Sequence, residues 1–211
     1  MAHTRRTVLA AGLAAGAGLV GCSSASEGHH HRAAAGPAHP AGAPDTLIML
    51  IRHAEKPYAG DVGEDDEGND DPGSLALRGR RRAEALPGLF PPAARAPLPR
   101  PASLFVPSGS PARCRQTVAP LAEALKLPIR APLPAGREAD LACAALAAPG
   151  PVLICWEHTG LPRVVQALGA AGLRDVPALW PDRYDLVWLL TRHRGAWSFR
   201  EQGQHLLPGD P

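Results

Sequence analysis

The chain has 211 residues, of which 45% are hydrophobic and 20% are charged, and its formal net charge at pH 7 is +2. This length and composition suit one globular domain with a sizeable core and some additional segments. The net charge is too small to indicate a general affinity for nucleic acid, so we expect no nucleic-acid partner.

Residues 1–22 have the pattern of an export signal. Arg5 and Arg6 precede an apolar run, rich in Gly and Ala, that is short and weak for a membrane span. The arginine pair resembles a twin-arginine signal, and the run ends in a stretch similar to a lipobox, in which Cys22 would be lipidated. We therefore expect export by the twin-arginine route to the bacterial cell envelope and a lipid anchor on the periplasmic side. Residue 23 is serine and not the aspartate that retains lipoproteins in the inner membrane. Sorting to the outer membrane is therefore also compatible with the sequence.

Residues 23–45 form a second N-terminal segment, composed mostly of Ala, Gly, Pro, Ser and His. Such a segment cannot bury enough apolar surface to offset its ordering entropy, so we expect a flexible tether to a folded domain at 46–211. The histidines at 29–31 are interpreted as part of this biased linker.

Three cysteines remain beyond Cys22, namely Cys114, Cys143 and Cys155. Because three is an odd number, at most one disulfide could join them. There is no CxxC pair that would indicate zinc. We expect buried thiols that pack as small apolar side chains, and we expect neither a metal nor a cofactor.

The first strong pattern in the domain is the apolar run at 47–51, which ends at Arg52 and His53. Five apolar residues without polar alternation predict a strand that is buried on both faces, as in a parallel sheet covered by helices. Ligands of open α/β sheets bind at the carboxyl ends of the strands. Arg52 and His53 are therefore candidates for an anion site.

An acidic segment and a basic helix follow. Residues 61–73 hold seven carboxylates without the spacing of a calcium loop, and they predict a solvated loop. Ser74 is predicted to cap the next helix, and Pro87 with Gly88 to end it. The arginines of this helix, which we interpret as a solvated face, are Arg78, Arg80, Arg81 and Arg82.

A short buried strand at 104–106 leads to a second helix. Ser110 is predicted as its N-cap and Pro111 as its first residue. Arg113 then lies in the first turn, where free N–H groups and the helix dipole favour an anion. Arg115 points roughly 200° round the helix and is predicted to face solvent.

The third pattern is a strand at 152–156 followed by Glu157 and His158. A short helix at 137–146 is predicted before it, and a helix at 162–171 after it. Two strands, at 185–190 and 197–199, are predicted to close the domain as a hairpin across 193–195.

Together the motifs resemble the histidine phosphatase superfamily. They are Arg52, His53, Ala54 and Glu55; Arg113 to Thr117; and Trp156, Glu157 and His158. Residues 77–79 with Ala83 resemble the family helix after the acidic loop, so the likeness spans 46 to 192. Ala54 replaces the usual glycine, as in small phosphatase members. The resemblance implies a phosphoglycerate mutase-like fold, three-layer α/β/α with a mainly parallel central sheet, in a small bacterial lipoprotein.

The resemblance also implies the roles of the site residues. His53 would be the nucleophile, and Arg52, Arg113 and His158 would clamp the phosphate oxygens. The leaving group needs a proton donor, which varies between family branches. The preferred candidate is Glu138, and the alternatives are Asp140, Glu157 and Glu55.

The sequence therefore predicts a phosphatase that hydrolyses phosphate monoesters or phosphoramidates through a phosphohistidine intermediate. Its substrate would be a phosphorylated small molecule or a phosphoprotein. The alternative is a lipoprotein of the same fold that binds a phosphate ligand and has little catalytic activity.

Overall fold

The computed structural model describes residues 45–65, 67–92, 96–109 and 111–211. The predicted signal with Cys22, the predicted tether up to residue 44 and the predicted cap Ser110 lie outside these residues. The elements in chain order are β1 (Thr46–Arg52), α1 (Leu77–Ala85), a 3₁₀ turn (Leu86–Leu89), β2 (Ser103–Phe105), α2 (Arg113–Leu125), β3 (Ile129–Arg130), α3 (Glu138–Ala147), β4 (Val152–Trp156), α4 (Leu161–Ala167), β5 (Leu186–His193) and β6 (Ala196–Gly203).

The strands form one six-stranded sheet in the order β3-β2-β4-β1-β5-β6. The first four strands in this order run parallel to one another, whereas β5 pairs antiparallel with both β1 and β6. In the central pair, Ile48 of β1 lies opposite Val152 of β4, and Arg52 lies opposite Trp156. The carboxyl ends of β1 and β4 therefore meet at one edge of the sheet.

Helices cover both faces of this sheet. Ile48 and Leu50 pack on one face with residues of α3 and α4. Met49 and Ile51 pack on the other face with the 3₁₀ turn and α2. Because successive side chains of a strand point to opposite faces, two covered faces require an unbroken apolar strand. The predicted three-layer α/β/α class with a mainly parallel sheet is confirmed.

The start of α1 differs from the prediction. The helix begins at Leu77, and Ser74 does not cap it, because its hydroxyl donates to Oδ2 of Asp71 at 2.7 Å. The carboxylate of Asp61 accepts from the backbone N–H of Leu77 at 2.7 Å and from that of Arg78 at 3.3 Å. An acidic side chain from the preceding loop thus satisfies the free N–H groups of the first turn.

The C-terminal hairpin is confirmed. His193 pairs with Ala196, and the two residues between them, Arg194 and Gly195, have φ angles of 49° and 83°. Positive φ at both central positions is the geometry of a type I′ turn, whose twist matches that of the flanking strands. Helix α4 ends at Ala167, four residues before its predicted end.

Two of the thiols occupy the core as predicted. Cys114 and Cys155 are buried in the cluster between the sheet and α2, whereas Cys143 is exposed. Within the described residues, no helix combines the length and the apolar character needed to cross a membrane.

Candidate active site

His53 lies immediately after β1 at the carboxyl edge of the sheet. Its backbone N–H donates to the carbonyl of Trp156, the last residue of β4, at 3.3 Å. This bond continues the parallel pairing by one residue and brings the chain after β1 next to the chain after β4. His158 follows two residues after Trp156, so the topology places both histidines at the same edge.

The imidazole of His53 is held in one orientation. The residue is only 5% exposed, and its Nδ1 lies 2.8 Å from the carbonyl oxygen of Ala54. A carbonyl oxygen can only accept, so we assign the ring proton to Nδ1, which leaves Nε2 with its lone pair. Burial, helped by the positive charges of Arg113, Arg52 and His158, lowers the pKa of His53 to about 4. The ring is therefore neutral at neutral pH.

Arg52 is buried beneath this edge, with 3% exposure. Its Nη1 donates to Oδ1 of Asp182 and its Nη2 to the hydroxyl of Tyr184, each at 3.2 Å. The Tyr184 ring stacks on the guanidinium, 4.0 Å from centroid to Cζ, and lies 6.0 Å from the His53 ring. The Nε of Arg52 is buried and has no hydrogen-bond partner among the described residues.

Arg113 comes from the first turn of α2, as predicted. Its Nη1 donates to the carbonyl of Pro72 at 2.8 Å, and its buried Nε has no hydrogen-bond partner in the described parts of the chain. Arg115 is exposed, which confirms its predicted solvent-facing position. The charge of Arg113 acts on His53, so the α2 N-terminus belongs to the same electrostatic cluster.

One hydroxyl ties this helix to the loop after His53. Oγ1 of Thr117 accepts from the backbone N–H of Ala54 at 2.8 Å and donates to the carbonyl of Arg113 at 2.7 Å. A single buried side chain thus fixes the backbone next to His53 relative to the first turn of α2.

His158 is half-buried in the turn between β4 and α4. Desolvation lowers its pKa, and so do the positive charges of Arg52 and Lys56, whereas the negative charges of Asp182 and Glu157 raise it. The charge of Arg52 therefore acts on His158 as well as on His53. The structure brings Arg52, His53, Arg113 and His158 together at one edge of the sheet.

Asp182 and Tyr184 were not predicted from the sequence. They lie in the irregular segment before β5, where no periodicity marks them. One signal could have found them: a strand was predicted to begin at residue 185, directly after this segment. In the structure that strand runs antiparallel to β1 and begins where β1 ends. The register, with Leu50 opposite Trp188, places this segment beside Arg52.

Glu138, the preferred proton donor, is engaged elsewhere. Its carboxylate accepts from Nε and Nη2 of Arg163, from Nε1 of Trp156 and from the backbone N–H of Gly136, at 3.0 to 3.2 Å. Burial alone would raise its pKa, but these hydrogen bonds lower it to about 2. Such an acid carries no proton at neutral pH. These contacts argue against Glu138 as proton donor and favour a role in holding α3 to α4.

Glu55 is also held in an ion pair, and here the prediction for the arginine face is wrong. Arg82 is 3% exposed and lies between two carboxylates, with Nη2 at 2.7 Å from Glu55 Oε1 and 2.8 Å from Asp210 Oδ1. Arg78 contacts the same two acids, each at 3.2 Å. The helix approaches closely because residue 79 is glycine: a Cβ there would lie 2.5 Å from the Glu55 carbonyl oxygen.

No group of three or more His, Cys, Asp or Glu side chains in the described ranges is placed to hold a metal ion. The cluster instead contains one neutral imidazole with an unprotonated Nε2, the buried guanidinium of Arg52 and the half-buried guanidinium of Arg113. This is a combination of a nucleophile with donors for a planar or tetrahedral anion.

No protein-family model matches this chain, and no curated protein matches it. Among solved structures it is similar to SixA from Agrobacterium tumefaciens, which is named as a phosphohistidine phosphatase, at 21% identity and a TM-score of 0.45, over 75% of this chain and 97% of that one. It is also similar to a mycobacterial glucosyl-3-phosphoglycerate phosphatase, at 16% identity and a TM-score of 0.43, over 76% and 98% of the two chains.

A third similar structure is a phosphoserine phosphatase mutant from Entamoeba histolytica in complex with phosphoserine. The identity is 11% and the TM-score 0.41, over 77% of this chain and 99% of that chain. At these identities and TM-scores, no role of a residue in this chain follows from the similarity.

Proposed function

We propose that the chain is a phosphatase that hydrolyses phosphate monoesters or phosphoramidates through a phosphohistidine on His53. The observation that carries this proposal is the state of that imidazole. Its Nδ1 is bound to the Ala54 carbonyl at 2.8 Å and its pKa is lowered to about 4, so Nε2 is an unprotonated nucleophile at neutral pH. An ordinary histidine, with a pKa of about 6.5, would be partly protonated at neutral pH, and that protonated fraction could not act as a nucleophile.

The substrate phosphate supplies the opposite charge. A phosphate monoester carries close to two negative charges, and attack on phosphorus requires those oxygens to be neutralised and aligned. Arg52 and Arg113 each keep a buried Nε–H without a partner among the described residues, and a buried donor without an acceptor is costly. Phosphate oxygens on these two groups would satisfy both donors and hold the phosphorus near Nε2 of His53.

His158 supports the same reaction as an electrostatic group. Its own pKa is lowered, chiefly by desolvation, so it is ready to donate one hydrogen bond as neutral imidazole and gains charge as the phosphate arrives. The hydroxyl of Tyr184 and its ring hold the Arg52 guanidinium from one side.

Turnover itself tests the proposal. Full-length protein is incubated with an aryl phosphate, phosphoserine peptides and a phosphoramidate, and released inorganic phosphate is measured without added metal. We expect release from at least the aryl ester and the phosphoramidate, whose leaving groups need little help. Phosphate binding without release from any member of the panel would instead favour the alternative, a phosphate-binding lipoprotein.

We further propose that the protein is exported and lipid-anchored, on the strength of Arg5, Arg6 and the lipobox-like end of the leader. Cys22→Ser should then release the protein from the membrane fraction or leave it unprocessed, while Cys143→Ser should behave as the parent. Cell fractionation and the mass of the N-terminal peptide measure this. Unchanged membrane association in Cys22→Ser, with cleavage upstream of Ala17, would contradict the anchor.

A further inference from the structure

Asp182 lies beside Arg52, one of the residues that we propose to bind the phosphate. Its Oδ1 is 3.2 Å from Nη1 of Arg52. The Arg52 side chain is 3% exposed and that of Asp182 is 98% exposed, so the carboxylate reaches the guanidinium from the solvent side. A phosphate ester that approaches Arg52 from solvent therefore meets Asp182 on entry.

The position of the nucleophile fixes where the leaving group must be. His53 is 5% exposed, so its attack on phosphorus comes from the protein interior. In an in-line displacement the leaving oxygen lies opposite the nucleophile. That oxygen is then on the solvent side of the phosphorus, which is the side that Asp182 occupies.

The segment that carries Asp182 is fixed at both ends. Nε1 of Trp180 donates to the carbonyl of Arg183 at 3.1 Å, and the Trp180 ring packs 4.5 Å from that of Trp188. Arg183 in turn donates to both carboxylate oxygens of Asp185, at 2.9 and 2.6 Å. The exposed carboxylate is thus presented from an anchored turn.

The four carboxylates that the sequence suggested as proton donors are less suited to that role. Glu138 is bound by Arg163 and Trp156, Glu55 by Arg78 and Arg82, and Asp140 by Arg137 at 2.6 Å. Glu157 and Asp182 both act on His158 by their negative charges, and of the two it is Asp182 that forms an ion pair with Arg52.

We propose that Asp182 is the general acid that protonates the leaving oxygen, an inference that rests on the proposed phosphatase function. On binding, a phosphate oxygen replaces Oδ1 of Asp182 on Nη1 of Arg52. The displaced carboxyl group then lies beside the leaving oxygen and supplies the proton that this oxygen needs.

The proton and the electrons balance over the two half-reactions. First the Nε2–P bond forms and the P–O bond breaks, its electron pair goes to the leaving oxygen, and Asp182 gives that oxygen its proton. Water then attacks phosphorus, the N–P bond breaks with its electron pair returning to Nε2, and the Asp182 carboxylate takes the proton from the water. The products are the alcohol and inorganic phosphate, and Asp182 regains its proton.

The dependence of rate on the leaving group tests this assignment. Full-length parent, Asp182→Asn and the matched carboxamide control Glu157→Gln are each assayed with p-nitrophenyl phosphate and with an alkyl phosphate such as phosphoserine. The leaving group of p-nitrophenyl phosphate is a stable phenolate that needs no proton. The leaving group of phosphoserine is an alkoxide, which must be protonated as it leaves. In Asp182→Asn we expect the ratio of alkyl to aryl kcat to fall by about 10²–10⁴, the usual contribution of a positioned acid. In Glu157→Gln the ratio should remain that of the parent.

Three results would overturn the inference. An equal loss on both esters in Asp182→Asn would mean that the residue only positions Arg52. A falling ratio in Glu157→Gln would move the acid to Glu157. Aryl turnover without any alkyl turnover in the parent would mean that no acid operates, while the phosphohistidine function stands. Turnover of neither ester by the parent is a different result, because it refutes the proposed function and this inference with it.

Discussion

His53→Ala should abolish both turnover and phosphoryl labelling of the protein. If Nε2 of His53 is the nucleophile, protein quenched during turnover of a labelled substrate carries phosphate on a nitrogen, and a phosphoramidate bond is lost in acid. The alanine variant has no atom at that position, and the neighbouring imidazole of His158 is less buried and lies on a different turn. The measurement is acid-labile label on the parent together with its loss in the variant.

The clamp residues should behave differently from the nucleophile. His158→Ala and Arg113→Ala each remove one preorganised donor, which typically costs about 10²–10³ in rate. Both variants should therefore slow labelling and turnover while leaving some label on His53. Arg115→Ala, on the same helix turn as Arg113 but exposed, is the matched control and should retain parental activity.

Two outcomes would remove His53 from its proposed role. One is label that persists in His53→Ala, and the other is hydrolysis by that variant at the parental rate. Persisting label would assign the nucleophile to another residue, whereas hydrolysis at the parental rate without label would indicate direct attack by water. A complete loss of labelling in Arg115→Ala would also contradict the geometry, since the side chain faces solvent on the far side of the helix.

Much of the site could be predicted from sequence because it depends on local pattern and on strand order. The apolar runs of β1 and β4 reflect a sheet covered on both faces, and the ends of parallel neighbours meet at one edge. His53 and His158 therefore converge although 105 residues separate their numbers in the chain. Arg113 could be predicted as a site residue because it lies in the first turn of a helix that begins beside that edge.

The remaining parts depend on partners that no local pattern reveals. Arg163 lies 25 residues from Glu138 and yet holds its carboxylate, which turns a candidate acid into an ionised structural group. Asp182 and Tyr184 lie in an irregular segment, where neither helical nor strand periodicity marks a side chain. Their position at Arg52 results from the antiparallel pairing of β5 with β1, a tertiary contact.

The basic face of α1 shows the same limit most clearly. Four arginines on one short helix predict a solvated surface, since each alone would be costly to bury. The pattern cannot show that Asp210, in the C-terminal segment, packs against this helix and pairs with Arg82 at 2.8 Å. The carboxylates of Glu55 and Asp210 and the guanidinium groups of Arg82 and Arg78 then compensate one another, and this network allows Arg82 to be buried.

Arg82→Ala should accordingly lower the free energy of unfolding by about 3–5 kcal/mol, because it leaves the carboxylates of Glu55 and Asp210 without their buried partner. The side chains of Glu55 and Asp210 are 10% and 3% exposed, so water cannot fully replace the guanidinium. Urea unfolding of the full-length chain measures the change. Arg81→Ala, one residue away on the exposed face of α1, is the matched control and should stay within about 0.5 kcal/mol of the parent.

The double variant Arg82→Ala with Asp210→Asn, measured beside each of the two single variants, separates the charge effect from lost packing. If unpaired charge is the main cost, removing one carboxylate together with the arginine should restore part of the stability, so the two changes should be less than additive. Additive losses would assign the cost to packing of the arginine stem instead. A loss in Arg82→Ala no larger than that in Arg81→Ala would show that the network contributes nothing.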